Sequence, residues 1–209
     1  MMVSTSARNR NQALVIIECL LGMPPLVQAG EAVVGTPAPQ FSAIDTTGQS
    51  RRLSDWRGRY VVLEWFNPEC PFVKKHYDSG NMQRLQEAYT AKGVVWLSLD
   101  SSAPGKQGHL SPAQAHAFVQ QRHAHPTAVL LDPDGSLGKL YGAKTTPHLF
   151  IVNPEGVLIY AGAIDDTPSA DPRDISRARN YVQQALDEAM SGQSVSTPAT
   201  QSYGCSVKY

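Results

Sequence analysis

Tyr60-Val61-Val62-Leu63-Glu64-Trp65-Phe66-Asn67-Pro68-Glu69-Cys70-Pro71-Phe72-Val73-Lys74-Lys75 is the stretch that decides the fold. Its first seven residues are β-branched and aromatic with little alternation, which predicts a strand buried on both faces. Asn67-Pro68 breaks the strand, and Pro71 suits the first turn of a helix expected from about Phe72 to Tyr89. Cys70 therefore stands where a buried strand hands over to a helix, the end of an α/β sheet at which reactive groups gather. Helix-start amides and the positive end of the helix dipole favour a thiolate there, and Lys74 and Lys75 add positive charge. Lowering a thiol from about 8.5 to about 6.5 needs roughly 2.7 kcal/mol, within reach of such surroundings.

Outward from this junction the pattern repeats. Val94 to Leu99 reads as a second buried strand, Ser111-Pro112 starts a helix running to about His123, and Ala128 to Leu131 is a third strand. Asp132-Pro133-Asp134-Gly135 is a turn, followed by a short helix near Leu137 to Tyr141. Leu149 to Val152 and Val157 to Tyr160 form a hairpin about Asn153-Pro154-Glu155-Gly156. Ile175, Ala178, Val182, Ala185, Leu186 and Ala189 mark a last amphipathic helix stopping at Gly192. Upstream, Phe41 to Asp45 and Ser50 to Leu53 predict a short hairpin. Strands alternating with helices give an α/β fold, a central sheet flanked by helices with an amino-terminal hairpin extension, in one domain spanning residues 33–192. Residues 193–204 are rich in Ser, Thr, Gln, Gly and Pro, so residues 193–209 are expected as a flexible tail carrying Cys205.

Composition narrows the function. The chain has 209 residues, and 18 Lys+Arg balance 18 Asp+Glu, so there is no cationic footprint for nucleic acid. Three cysteines are too few for a disulfide scaffold and lack zinc-site spacing. Residues 1–29 combine Arg8 and Arg10, a short apolar run and Val27-Gln28-Ala29, the pattern of a signal peptide for a periplasmic or secreted protein. The run is interrupted by Glu18 and too short for a permanent span, so no stable membrane insertion is expected after cleavage. Cleavage after Ala29 removes Cys19 and leaves Cys70 and Cys205, a pair able to form a disulfide in an oxidising compartment.

Trp65 to Lys75 resembles the active-site stretch of the thioredoxin-like superfamily, in particular its alkyl hydroperoxide reductase/thiol-specific antioxidant branch. Gly35-Thr36-Pro37-Ala38-Pro39-Gln40-Phe41 is similar to the opening of that branch, and Thr145-Thr146-Pro147 resembles its cis-proline loop. Asp165-Asp166 and Gly204-Cys205-Ser206-Val207-Lys208 are similar to peroxiredoxin-like bacterial proteins. The resemblance implies a thioredoxin-like fold, Cys70 as nucleophile, and Thr146 and Pro147 as the substrate-binding wall. Two positions depart from it. Val73 stands where thioredoxins carry their second cysteine, and Asn67 and Leu63 replace the threonine and proline of typical peroxiredoxins.

Cys205 is the candidate partner thiol. As a flexible coil, the stretch from Gly192 would reach roughly 20 Å, against a domain radius of gyration of about 16 Å. A structural disulfide or an intermolecular thiol are its other readings. His76, six residues beyond Cys70, falls well round the helix and reads as a surface residue rather than a dyad partner. Glu64 and Glu69 are candidates for proton transfer near the sulfur. A copper-binding module with Cys70 as ligand and His148 nearby is a further reading. His123-Ala124-His125 and Asp132-Pro133-Asp134-Gly135 read as a helix end and a turn. The expected activity is that of a thiol oxidoreductase without cofactor, acting on a protein disulfide or a peroxide and recharged by a thiol donor.

Overall fold

The computed structural model describes residues 1–2 and 32–209, so the expected signal segment lies, but for Met1 and Met2, outside the described residues. A five-stranded sheet forms the centre. Its strands are β3 (Val61–Trp65), β4 (Val95–Asp100), β5 (Ala128–Leu131), β7 (His148–Val152) and β8 (Leu158–Gly162), in the spatial order β5-β4-β3-β7-β8. β3, β4 and β5 run parallel, while β7 lies antiparallel to β3 and β8 antiparallel to β7. The stretch around Cys70 thus feeds from the middle strand.

Burial on both faces follows from the β3 residues themselves. Val62 and Phe66 join one core with Val73, Tyr77, Met82, Leu85 and Tyr89 of the helices α1 (Pro71–Asp78) and α2 (Asn81–Thr90) and with Val182 and Leu186 of α5 (Tyr181–Met190). Ala115 and Phe118 of α3 (Pro112–Gln121) pack against the same core. Val61, Leu63 and Trp65 face a second core with Leu137 and Tyr141 of α4 (Ser136–Tyr141) and with Leu53 and Trp56 of a 3₁₀ turn. Each such side chain contributes about 1.5–3 kcal/mol when fully buried. That is why β3 shows no polar alternation. The expected hairpin is present as β1 (Ser42–Ile44) and β2 (Ser50–Arg52), closed by Asp45, whose carboxylate accepts from the Thr47 and Gln49 amides and pairs with Arg51.

Three elements differ from the sequence expectation. The helix expected over residues 72–89 is two helices, parted at Ser79-Gly80, where Gly80 adopts φ +71°. The last helix begins at Tyr181 and not near Ile175; Asn180 caps it by accepting from the Gln183 amide, and Ile175 lies in a 3₁₀ turn. The largest difference is the carboxyl-terminal stretch. Expected as a flexible tail, residues 193–209 run as a strap along β8 and across the carboxyl ends of the central strands.

The strap is held largely by backbone and hydroxyl groups, with Val195, Tyr203, Cys205 and Val207 packing against the two cores. The Ala161 amide donates to the Pro198 carbonyl and the Thr200 amide to the Ala161 carbonyl. The Thr200 hydroxyl shares a hydrogen bond of 2.8 Å with Tyr160 and accepts from the Ala163 amide. Further on, β9 (Cys205–Ser206) pairs antiparallel with β6 (Thr145–Thr146), joining Thr146 to Cys205. Ala103 donates to the Lys208 carbonyl and Val207 to the Lys144 carbonyl. A composition rich in Ser, Thr, Gln, Gly and Pro signals a loop but does not reveal backbone pairing of this kind.

Candidate active site

Cys70 is the N-cap residue of α1, with Pro71 in the first turn. The turn that presents it is built by Asn67. Its side-chain oxygen accepts from the Glu69 amide at 2.8 Å, its amide nitrogen donates to the Gln107 carbonyl, and the Cys70 amide donates to the Asn67 carbonyl. An Asx turn of this kind fixes the backbone two residues on. Gly108 packs so closely that a Cβ there would lie 2.3 Å from the Asn67 side chain. Asn67, which departs from the peroxiredoxin pattern, therefore positions the turn between β3 and α1.

The Cys70 sulfur is completely buried. In its protonated form it donates to the Thr146 carbonyl at 3.1 Å. Thr146 precedes a cis peptide bond to Pro147 and is the residue paired with Cys205. The two expected site thiols and the expected substrate wall are thus brought together. Both sulfurs are unbridged.

Burial pushes the Cys70 thiol up, but hydrogen bonds from the Cys205 thiol, the Val73 and Cys205 amides and the Thr146 hydroxyl outweigh it, leaving this thiol below its ordinary value. Burial and the Cys70 sulfur push Cys205 up to about 11. Of the two thiols, Cys70 is thus the one that ionises more readily, which is the requirement for a nucleophile.

Lys75 does not add its charge to this sulfur as the sequence suggested. Its ammonium is buried against Asp165 at 3.3 Å and donates to the Thr167 carbonyl at 2.8 Å, while Lys74 is exposed. His76 is a correction too. Instead of lying at the surface it is fully buried, hydrogen-bonded to Asn81 at 2.9 Å and lying 3.8 Å from Asp165. Burial lowers it to about 4, against the pull of Asp165 and with the push of Lys75. Tyr203 of the strap completes the cluster through a hydrogen bond from its hydroxyl to Asp165. Asp165 and Tyr203 are site-supporting residues that sequence spacing did not reveal, since no local pattern joins positions 38 residues apart.

Glu64 is buried on β3 with four donors around it: Trp96 at 2.7 Å, Tyr77 at 2.8 Å, Ser98 at 2.9 Å and Gln86 at 3.2 Å. Burial raises it above its ordinary value, partly offset by those donors. Cys70 is absent from its hydrogen-bonding partners, and Glu69 is exposed, so neither carboxylate is placed at the sulfur. His148 packs on Phe150, with ring centroids 4.4 Å apart, and accepts from the Lys144 amide at 3.3 Å. Among the described residues no group of three or more His, Cys, Asp or Glu side chains is arranged to hold a metal.

His148 carries a pH prediction. Burial first, and then the charge of Lys144, lower it to about 4 in the folded chain. The unfolded value is about 6.5, so this stabilising difference is fully present above pH 6.5 and is lost as pH falls toward 4. Urea unfolding at pH 7.5 and 4.5 should show the wild type losing about 2 kcal/mol more than His148→Gln. Equal losses would show that His148 titrates alike in both states.

A buried, ionisable cysteine at the carboxyl end of a central strand, faced by a cis-proline loop, defines an oxidoreductase of thioredoxin-like fold. Within that class the chain belongs to the AhpC/TSA family, whose model matches residues 34–161. The thiol-disulfide oxidoreductase ResA of Bacillus subtilis strain 168 is 27% identical over 154 residues, which cover 72% of this chain and 80% of that protein. Peroxiredoxin-2 of Cricetulus griseus is 28% identical over 174 residues, covering 74% of this chain and 80% of that one. An uncharacterized conserved protein from Geobacillus kaustophilus has a crystal structure that superposes with a TM-score of 0.72 at 26% identity, covering 90% of this chain and 98% of that chain.

Proposed function

We propose that the protein is a two-cysteine thiol oxidoreductase in which the Cys70 thiolate takes the oxidant and Cys205 resolves the product, with Thr146 and Pro147 as the wall of the site. The observation that carries this reading is the placement of Cys205 on β9, paired to Thr146, the residue whose carbonyl accepts from the Cys70 sulfur. Attack on a peroxide gives a sulfenic acid at Cys70, and attack on a disulfide gives a mixed disulfide. In either case the Cys205 sulfur is the nearest thiol to displace the product. No cofactor is needed for this chemistry.

A thiol donor then restores both cysteines. The amino-terminal pattern of residues 1–29 supports a periplasmic or secreted setting, where such a pair can be oxidised. Among the described residues no helix is long and apolar enough to cross a membrane.

Trapping separates the roles of the two sulfurs. After one equivalent of hydrogen peroxide, mass spectrometry of the wild type should show a Cys70–Cys205 disulfide. Cys205→Ser should instead accumulate a Cys70 sulfenic acid that dimedone labels. If the wild type accumulates dimedone-labelled Cys70 as fully as Cys205→Ser does, Cys205 is not the resolving thiol, and if Cys70 of Cys205→Ser is never labelled, Cys70 is not the sulfur that takes the oxidant.

A further inference from the structure

The strap does more than deliver a thiol. We propose that residues 203–209 form a built-in strand occupying the edge that an extended partner peptide would need, so that the site admits small hydroperoxides and refuses protein disulfides, with Tyr203, Gly204 and Tyr209 determining that specificity. The inference rests on Cys70 being the nucleophile and adds its substrate class.

Four observations carry it. The only residues of β6, Thr145 and Thr146, are already paired with Ser206 and Cys205, so a second strand finds that edge taken. Cys70 has no exposed surface beneath this pairing. Gly204 crosses β6 at such close range, with φ +126°, that a Cβ would lie 2.1 Å from the Thr146 carbonyl oxygen. Finally, the crossing is pinned on both sides of Cys205. Upstream, the Tyr203 hydroxyl is bound to Asp165 and its ring meets Phe72 edge-on, with centroids 5.8 Å apart. Downstream, the Tyr209 hydroxyl donates to the Ala143 carbonyl at 2.7 Å, and its ring fills a slot left by Gly135 and Gly138, where an added Cβ would fall within 2.4 and 2.5 Å of it.

Substrate size decides what these pins do. A hydroperoxide presents two oxygens and reaches a sulfur through small side-chain movements. A protein disulfide brings several residues of peptide and must first lift the strap, so its apparent affinity is reduced by the fraction of molecules with the strap open.

The reaction balances without further reagents beyond a hydroperoxide and a dithiol donor. The Cys70 thiolate attacks the terminal peroxide oxygen, the O–O bond breaks, and the alkoxide leaves as an alcohol after taking a proton. Cys70 is oxidised to the sulfenic acid. The Cys205 sulfur attacks it, an S–S bond forms, the S–O bond breaks, and water carries off the hydroxyl with the thiol proton. A donor thiolate then attacks Cys205, the more exposed sulfur, and Cys70 leaves as thiolate. The donor's second thiol releases Cys205 and closes the donor's own disulfide.

The test compares purified wild-type protein with Gly204→Val and Tyr209→Ala. Three rates are read: iodoacetamide alkylation of Cys70, disulfide formation after stoichiometric hydrogen peroxide, and insulin reduction driven by dithiothreitol. The wild type should oxidise with peroxide and leave insulin at its uncatalysed rate. In both variants alkylation and insulin reduction should rise by about tenfold, while peroxide-driven disulfide formation should slow by about tenfold. Tyr209→Ala acts at the far pin, away from the sulfurs, and reads the same release should Gly204→Val not fold. Wild-type insulin reduction equal to that of the variants would overturn the proposal, as would faster alkylation without faster insulin reduction. Peroxide oxidation of Cys70 in the wild type would still uphold the nucleophile in those cases. A Cys70 inert to both oxidants would overturn the nucleophile and the strap proposal together.

Discussion

Cys70→Ser is expected to lower peroxide consumption and small-disulfide reduction by at least about a thousandfold, because an alcohol oxygen at that position is neither ionised at neutral pH nor a comparable nucleophile. The loss should be in turnover and not in folding. Serine differs from cysteine there by one atom, and the Val73 amide and Thr146 carbonyl that meet the sulfur can meet a hydroxyl. Far-ultraviolet circular dichroism and the unfolding midpoint should therefore stay near the wild type. Initial rates with hydrogen peroxide and with oxidised glutathione measure the effect. Activity within about tenfold of the wild type would remove Cys70 from the mechanism.

Asp165→Ala is the second large effect, and it acts on stability. The Asp165 carboxylate meets Lys75, lies 3.8 Å from His76 and accepts from Tyr203, all within a region with almost no solvent exposure at Lys75, His76 and Asp165. Removing it strands a buried ammonium, a loss of about 3–5 kcal/mol. For a chain of this size that corresponds to a fall of roughly 6–20 °C in the thermal midpoint. Lys75→Met combined with Asp165→Ala should recover part of the loss, since no charge is then left unpaired. Thermal melts of the two variants test this, and a double variant less stable than the single one would contradict it. Because Tyr203 uses the same carboxylate, Asp165→Ala should also loosen the strap beside Cys205.

What could be read in advance was local. The buried run Val61 to Trp65, the break at Asn67-Pro68 and the proline beside Cys70 place the sulfur at the end of the middle strand, because each signal acts on its immediate neighbours. Ser111-Pro112 likewise starts α3, with Ser111 and Gln114 forming a capping box. What escaped reading was long-range. His76 bonds to Asn81 and Tyr203 and not to Cys70, and its burial depends on Asp165 and Tyr203, which nothing near position 76 announces. Lys75 looked like a cation for the thiolate, and only the fold shows that its charge is already partnered. Residues 193–209 looked like a loop because much of their bonding is through the main chain, on which composition is silent.

The bonds between Ala161 and residues 198–200 have one more result. β8 is the last strand of its sheet, and a bare final strand is a template on which a second molecule can zip. Pro198 and Thr200 take up the Ala161 amide and carbonyl, so the segment that brings Cys205 to Cys70 also guards this border against self-association. With Cys205 in its proposed role, redox turnover and resistance to clumping rest on one short length of chain, and a lesion that peels it away would expose the protein to both failures at once.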